Sequence, residues 1–229
     1  MKTLAQEAIL EIAKKILGTN FNEEMIKNAE SYVNSILRDK SRWRLSAVNL
    51  ERYKENGYLD DKAYVEVLDL AFIPTVFVSE YASTIALSEK VLEVLGVSVS
   101  EFLQTAIENT KIIIKNMSDI LMSSDVDGDY EDLEGDEKLE DMRVSVDPYM
   151  CFGTTLLVNE ELLQKTKEEM GNFYIIPSSV HEVILVKADM TDAESLRGMI
   201  GEVNTNVLSD EDFLSNNAYY YDGKLQIAA

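Results

Sequence analysis

The stretch Asn172–Lys187, read Asn-Phe-Tyr-Ile-Ile-Pro-Ser-Ser-Val-His-Glu-Val-Ile-Leu-Val-Lys, constrains this chain more than any other. Two apolar, β-rich arms flank a small polar bend that holds the single histidine. Such arms favour strands, and a proline followed by two serines is turn chemistry. The expectation is a buried hairpin, Phe173–Ile176 against Val180–Val186, turned at Pro177-Ser178-Ser179.

Around that hairpin the pattern mixes helix and strand. Leu4, Ala5, Ala8, Ile9, Ile12, Ala13, Ile16 and Leu17 recur at helical spacing, and Gly18 stands where a C-terminal cap belongs. Asn20 and Glu23 resemble a capping box ahead of a second stripe, Met25 to Leu37. Residues 1–44 are therefore expected to form an N-terminal helical hairpin, and residues 45–229 an α+β domain. In that domain Leu45–Leu50 leads as a strand into Arg52-Tyr53, and Asp61–Val67 reads as a helical approach. A buried strand follows, Leu68–Val78, broken or bulged at Pro74. A short strand near Ser83–Leu87 precedes helices at Ser88–Leu95 and, capped by Ser98, at Phe102–Asn109. The run Ile112–Ile114 suits strand or helix, and Ser118–Met122 suits a short helix.

The C-terminal half continues in the same way. Arg143–Val146 and Thr154–Val158 read as strands, and Asn159 caps a helix Glu160–Met170 that ends at Gly171. Thr191 and Glu194 form a capping box for a helix carrying Leu196, Met199 and Ile200. Ser209 caps a last short helix with Phe213 and Leu214. Asp222-Gly223 is a hairpin signal between Ala218–Tyr221 and Leu225–Ile227. Tight turns without a regular βαβ rhythm predict an α+β fold, with a largely antiparallel sheet and flanking helices.

Charge narrows the function classes. The net charge is −21, from 42 acidic and 21 basic residues, a field that repels phosphate backbones and disfavours nucleic-acid binding. The acidity is concentrated: Asp125–Asp141 holds ten Asp/Glu and one lysine, so residues 123–141 read as a flexible acidic loop. No frame of Asp125-Val126-Asp127-Gly128-Asp129 places an EF-hand's ligands and its glycine together, so calcium is not expected there. Arg38, Lys40, Arg42 and Arg44 cluster about Trp43 and Asp39, where pairing with acidic neighbours is the expected outcome. A single cysteine, no leader-like apolar run and no span of about 18 apolar residues suggest a cytoplasmic protein without membrane contact.

His181 is the obvious reactive group, with Ser178, Ser179 and Glu182 beside it and Cys151 expected on a nearby strand. A Ser–His or Cys–His pair would make a hydrolase. Against it, neighbouring strand residues face opposite sides, so Glu182 does not orient the His181 ring, and no nucleophile-elbow glycines surround either serine. One histidine and one cysteine do not make a usual zinc site, and no phosphate-binding glycine loop exists, so neither metal nor cofactor is expected. Pro177, Ser178, Ser179, His181 and Glu182 are expected to satisfy backbone groups at the bend. Alternation along Tyr219-Tyr220-Tyr221 buries either the middle tyrosine or its two neighbours.

Phe173 to Ile184 also resembles the signature of a large bacterial family of unknown function, frequent in gut anaerobes and their mobile elements: Tyr-Ile-Leu-Pro-Ser-Ser-x-His-Glu-Val. Leu68-Asp69-Leu70-Ala71, Leu95-Gly96-Val97, Ala106 to Thr110, Phe152-Gly153, Glu202-Val203-Asn204 and Tyr219-Tyr220-Tyr221 are similar to further stretches of it. The segment Pro148-Tyr149-Met150-Cys151 departs from the polar turn more common there. The resemblance implies a shared fold and brings no activity. The functional expectation is a non-enzymatic accessory factor with a protein partner; the alternatives are a hydrolase using His181 with Ser179 or Cys151, and an acidic nucleic-acid mimic or defence-system inhibitor.

Overall fold

A computed structural model describes residues 9–10, 12, 23–78, 84–123, 141–206, 209 and 212–228. It is α+β, with antiparallel sheets and flanking helices. The chain divides into two compact units: Met1–Ser46, Glu51–Val65 and Ala71–Thr110 form one, and Ala47–Leu50, Glu66–Leu70 and Lys111–Ala229 the other. Of the first helix of the expected N-terminal hairpin only residues 9, 10 and 12 are described, all helical, and the acidic stretch 124–140 and Asn20 lie outside the described residues.

In the first unit, helix α1 (Glu23–Arg38) buries Ala29, Val33, Ile36 and Leu37, which share one helical face. A short 3-10 turn, Lys40–Arg42, leads to β1 (Trp43–Asn49), of which the residues up to Ser46 belong to this unit. The Trp43 ring stacks on Phe102 at 4.4 Å, and its indole N–H donates to the Leu37 carbonyl at 3.0 Å, so a large aromatic is buried with its one polar atom satisfied. Phe102 comes from helix α4 (Val99–Asn109), which follows α3 (Glu89–Leu95) across Gly96 in the left-handed region and Ser98, whose hydroxyl accepts the Glu101 N–H.

Three expectations fail here. Arg52-Tyr53 belongs to helix α2 (Leu50–Glu55), not to a strand. The approach at Asp61–Val67 is not helical: a turn reaches Lys62, which bridges to Ser88, and Val65–Val67 is strand β2. Alternating valines fit a pleated edge better than a helix. Finally, β3 (Leu70–Phe77) runs unbroken through Pro74, with every residue buried. β4 (Thr84–Ala86) pairs with Thr75–Phe77 only, so the proline lies outside that ladder, while its carbonyl accepts the Leu87 N–H at 2.8 Å. The sheet order is β1-β3-β2, with β4 also on β3.

The second unit is organised on a six-stranded sheet ordered β10-β9-β7-β8-β6-β5: β5 Ile113–Asn116, β6 Met142–Val146, β7 Phe173–Ile176, β8 Val183–Lys187, β9 Tyr219–Tyr221 and β10 Leu225–Ile227. Every neighbouring pair is antiparallel. The expected hairpin is β7–β8, in register Phe173↔Lys187 to Ile176↔Ile184 and central in the sheet. Helix α5 (Met117–Ser123) follows β5; α6 (Glu160–Met170) and α7 (Ala193–Asn206) complete the unit. The Asn159 side chain caps α6 by accepting the Leu162 N–H at 3.0 Å.

Here too some expectations are corrected. Residues Gly153–Val158 form a 3-10 helix, not a strand. β6 already has β5 and β8 on its two sides, so β-branched Thr154 and Thr155 find no ladder there. Asp192, not Thr191, caps α7: its carboxylate accepts the Ser195 N–H at 2.8 Å, which holds its pKa below the usual carboxylate range. Ser209 makes one turn with Asp212, and Phe213 and Leu214 are not helical. Among the described residues, no helix is long and apolar enough to cross a membrane.

Candidate functional site

The β7–β8 bend, residues 177–182, is tied into its surroundings by backbone and serine hydrogen bonds. Ser178 N–H donates to Ile176 O, and Val180 N–H to Asp212 O. The Ser179 hydroxyl accepts the His181 N–H at 3.1 Å, a local serine turn. The Ser178 hydroxyl donates to the Glu182 carbonyl and carboxylate, each at 3.4 Å. On the carbonyl side, Val180 O accepts from the Thr154 hydroxyl and His181 O from the Gly153 N–H at 2.8 Å.

Gly153 is the tightest joint. A methyl group there would stand 2.2 Å from Ser145 O and 2.7 Å from His181 O, both backbone atoms. The Ser145 hydroxyl also donates to Gly153 O at 2.8 Å. Backbone can approach this closely only where no Cβ intervenes. The Phe152-Gly153 and Pro177–Glu182 segments, 24 or more residues apart in sequence, therefore meet at this point.

The chain between β6 and Gly153 is held by a single buried carboxylate. Asp147 Oδ1 accepts the Cys151 and Phe152 N–H groups at 2.7 and 2.8 Å, and Oδ2 accepts that of Tyr149 at 3.1 Å. The loop then displays Tyr149 and Met150, 44% and 53% exposed. Met150 has φ 55°, a left-handed conformation that a Cβ-bearing residue adopts only when its surroundings impose it.

The reactive candidates do not form a nucleophile pair. The exposed His181 ring places Nε2 3.5 Å from Asp212 Oδ1. Ser179 Oγ is engaged with the His181 backbone, as described. Cys151 Sγ turns to the Tyr149 carbonyl at 3.0 Å, and burial, with the Asp147 charge second, pushes its thiol above the ordinary range. A raised thiol pKa disfavours the thiolate that nucleophilic chemistry requires. Among the described residues, no group of three or more His, Cys, Asp or Glu is placed to hold a metal ion.

Two of the four basic residues of the cluster, Lys40 and Arg42, pair with carboxylates as expected. Lys40 pairs with Glu101 at 2.9 Å and Arg42 with Asp39 at 3.1 Å, while Arg38 donates to Asn34. Arg42 also reaches Phe77 O and Val78 O, and Arg44 donates to Ser41 O and Trp43 O.

Sequence reading assigned no role to Asp69. Its Oδ1 accepts the Tyr219 hydroxyl at 2.6 Å, and its Oδ2 accepts Ser215 Oγ at 2.5 Å and Asn217 Nδ2 at 2.9 Å. Tyr219 is fully buried, and burial first and the Asp69 charge second raise its pKa far beyond the ordinary range. Tyr221, also buried, donates to Glu160 at 2.6 Å; burial and that carboxylate push its pKa up to about 12. Tyr220 is half-buried, so alternation buries the two outer tyrosines. Only the Leu68-Asp69-Leu70-Ala71 stretch hinted at Asp69, and nothing in it pointed to residues 146 and more positions away.

These features define an α+β protein in which Phe152-Gly153 meets the β7–β8 bend at one joint and Asp69 ties Ser215, Asn217 and Tyr219 at another. The chain belongs to DUF5688, a family of unknown function, which matches residues 2–223. No curated protein and no solved structure matches it.

Proposed function

We propose that the chain acts as a non-enzymatic interaction module, an accessory factor that meets a protein partner through the Pro148–Cys151 loop. One observation carries this reading: two adjacent large side chains, Tyr149 and Met150, are exposed on a loop whose backbone is fixed by three N–H bonds to Asp147, with Met150 in a strained conformation. A loop ordered before binding loses less entropy on docking, and exposed aromatic and methionine side chains are common interface anchors. The engaged states of Ser179 and Cys151 support a non-hydrolytic role. The single cysteine favours a cytoplasmic setting, and the family resemblance supports a mobile element as one carrier of such a factor.

The test compares wild-type protein with Tyr149→Ala/Met150→Ala as baits for a stoichiometric partner. The expected result is a partner retained by wild type and reduced at least about tenfold by the double variant, whose melting temperature stays close to wild type. Ester or peptide turnover that disappears in His181→Ala would replace this reading with the hydrolase.

A further inference from the structure

The central hairpin also walls a cavity of about 160 Å³. Its apolar lining is Met142, Ile176, Pro177, Ile184, Met199 and Ile200, from β6, the hairpin and α7. Beneath it lies a small core that includes Ile176, Val186, Leu196 and Ile200. The cavity's two polar members are already engaged by the protein: Ser178 Oγ bonds to Glu182, and Asn204 Nδ2 donates to Ser215 O and Asn216 Oδ1. Its complement is therefore apolar. A space of this size holds about one benzene-sized group, the scale of a single leucine or phenylalanine side chain. Met199 is 51% exposed, and flexible methionines such as Met142 and Met199 adapt to varied anchor shapes.

Charge selects the rest of the occupant. The chain carries −21, and within two residues of lining positions the acidic Asp141, Glu182 and Glu202 outnumber the basic Arg143 and Arg197. Of the basic side chains nearby, Arg143 pairs with Glu169 and Lys187 with Asp141 and Asp189, while Arg197 on α7 donates to the Ala228 carbonyl. A second copy of so acidic a chain would be repelled, whereas a cationic segment would be drawn in. We propose that this cavity receives one large apolar side chain from an otherwise basic, amphipathic segment of a partner protein. This rests on the interaction-module reading and adds a second, chemically defined contact to it.

The probe is a synthetic lysine-rich peptide with one phenylalanine, compared with the same peptide carrying serine at that position and with a glutamate-rich version retaining the phenylalanine. Each is titrated into the full chain with isotopically labelled methionine methyls. The expected result is that the Met142 and Met199 methyl signals shift with the anchored basic peptide alone, and that Met199→Asp weakens its binding about tenfold while leaving the other methyl signals in place. Silent methyls, or equally tight binding of the anchorless or the acidic peptide, would overturn the proposal. So would concentration-dependent shifts without peptide, which would mark self-association. A partner lost from the Tyr149/Met150 variant, together with silent cavity methyls, would remove the anchor site and leave the interaction-module reading standing.

Discussion

A methyl group at position 153 has nowhere to go, because the two nearest atoms, Ser145 O and His181 O, are both backbone and both belong to the central sheet and its bend. Gly153→Ala must therefore push the 3-10 helix away from the bend, breaking the Gly153–His181 hydrogen bond in the process. The expected cost is roughly 3 kcal/mol, measured by denaturant unfolding, well above the cost expected from helix or turn propensity alone. A loss below about 1 kcal/mol would mean that the two segments are not locked together. Tyr221 makes a different prediction. Its folded pKa of about 12 lies above the ordinary value of 10.0, so the folded state holds the phenolic proton more tightly than the unfolded state. Its contribution is fully present below about pH 10 and is lost as pH rises through about 12. Tyr221→Phe is expected to flatten the fall in unfolding free energy across that window, in a pH series of denaturation curves.

At the scale of elements, stability rests on ends and joints as much as on periodicity. The Asn159 side chain closes the first turn of α6, with Glu160 and Glu161 adding favourable charge at the same end. Asn159→Ala is expected to cost about 1 kcal/mol in thermal or denaturant unfolding, and Asn159→Asp to retain most of the stability. This cap was legible in the sequence because capping is local: asparagine, two glutamates and a following apolar stripe sit within one turn. The β7–β8 and β9–β10 hairpins were legible for the same reason. What was not legible depended on occupancy elsewhere in the fold. Thr154–Val158 has the composition of a strand, yet β6 has a partner on each side and the segment coils instead. Pro74 reads as an interruption, yet β4 pairs beyond it and β3 continues. The Asp69 network and the Gly153 joint unite residues far apart in the chain, and no local pattern encodes such distances. At the bend, the sole histidine drew attention to His181, while the geometry gives its backbone carbonyl as firm a role as its ring.

At the scale of the whole molecule, the decisive quantity is the imbalance of 42 acidic against 21 basic residues. Salt acts on it in two opposing ways. It screens attractive pairs such as Lys40–Glu101 and Arg143–Glu169, and it relieves repulsion among the surplus carboxylates. Exposed pairs of this kind contribute about 0–1 kcal/mol each, so screening them costs little. The repulsion, by contrast, is spread over a net charge of −21 and grows with every carboxylate brought close by folding. Relief should win. Raising sodium chloride from about 20 mM to about 500 mM is expected to raise the melting temperature by roughly 3–6 °C. A flat or falling melting temperature would mean that attractive pairs, and not surplus acidity, dominate the folded state's electrostatics. Binding should respond in the opposite sense, because a basic segment drawn to an acidic surface loses its attraction as salt rises. A molecule that gains stability and loses its partner over the same salt range would show that its acidity is kept for recognition at a cost to the fold.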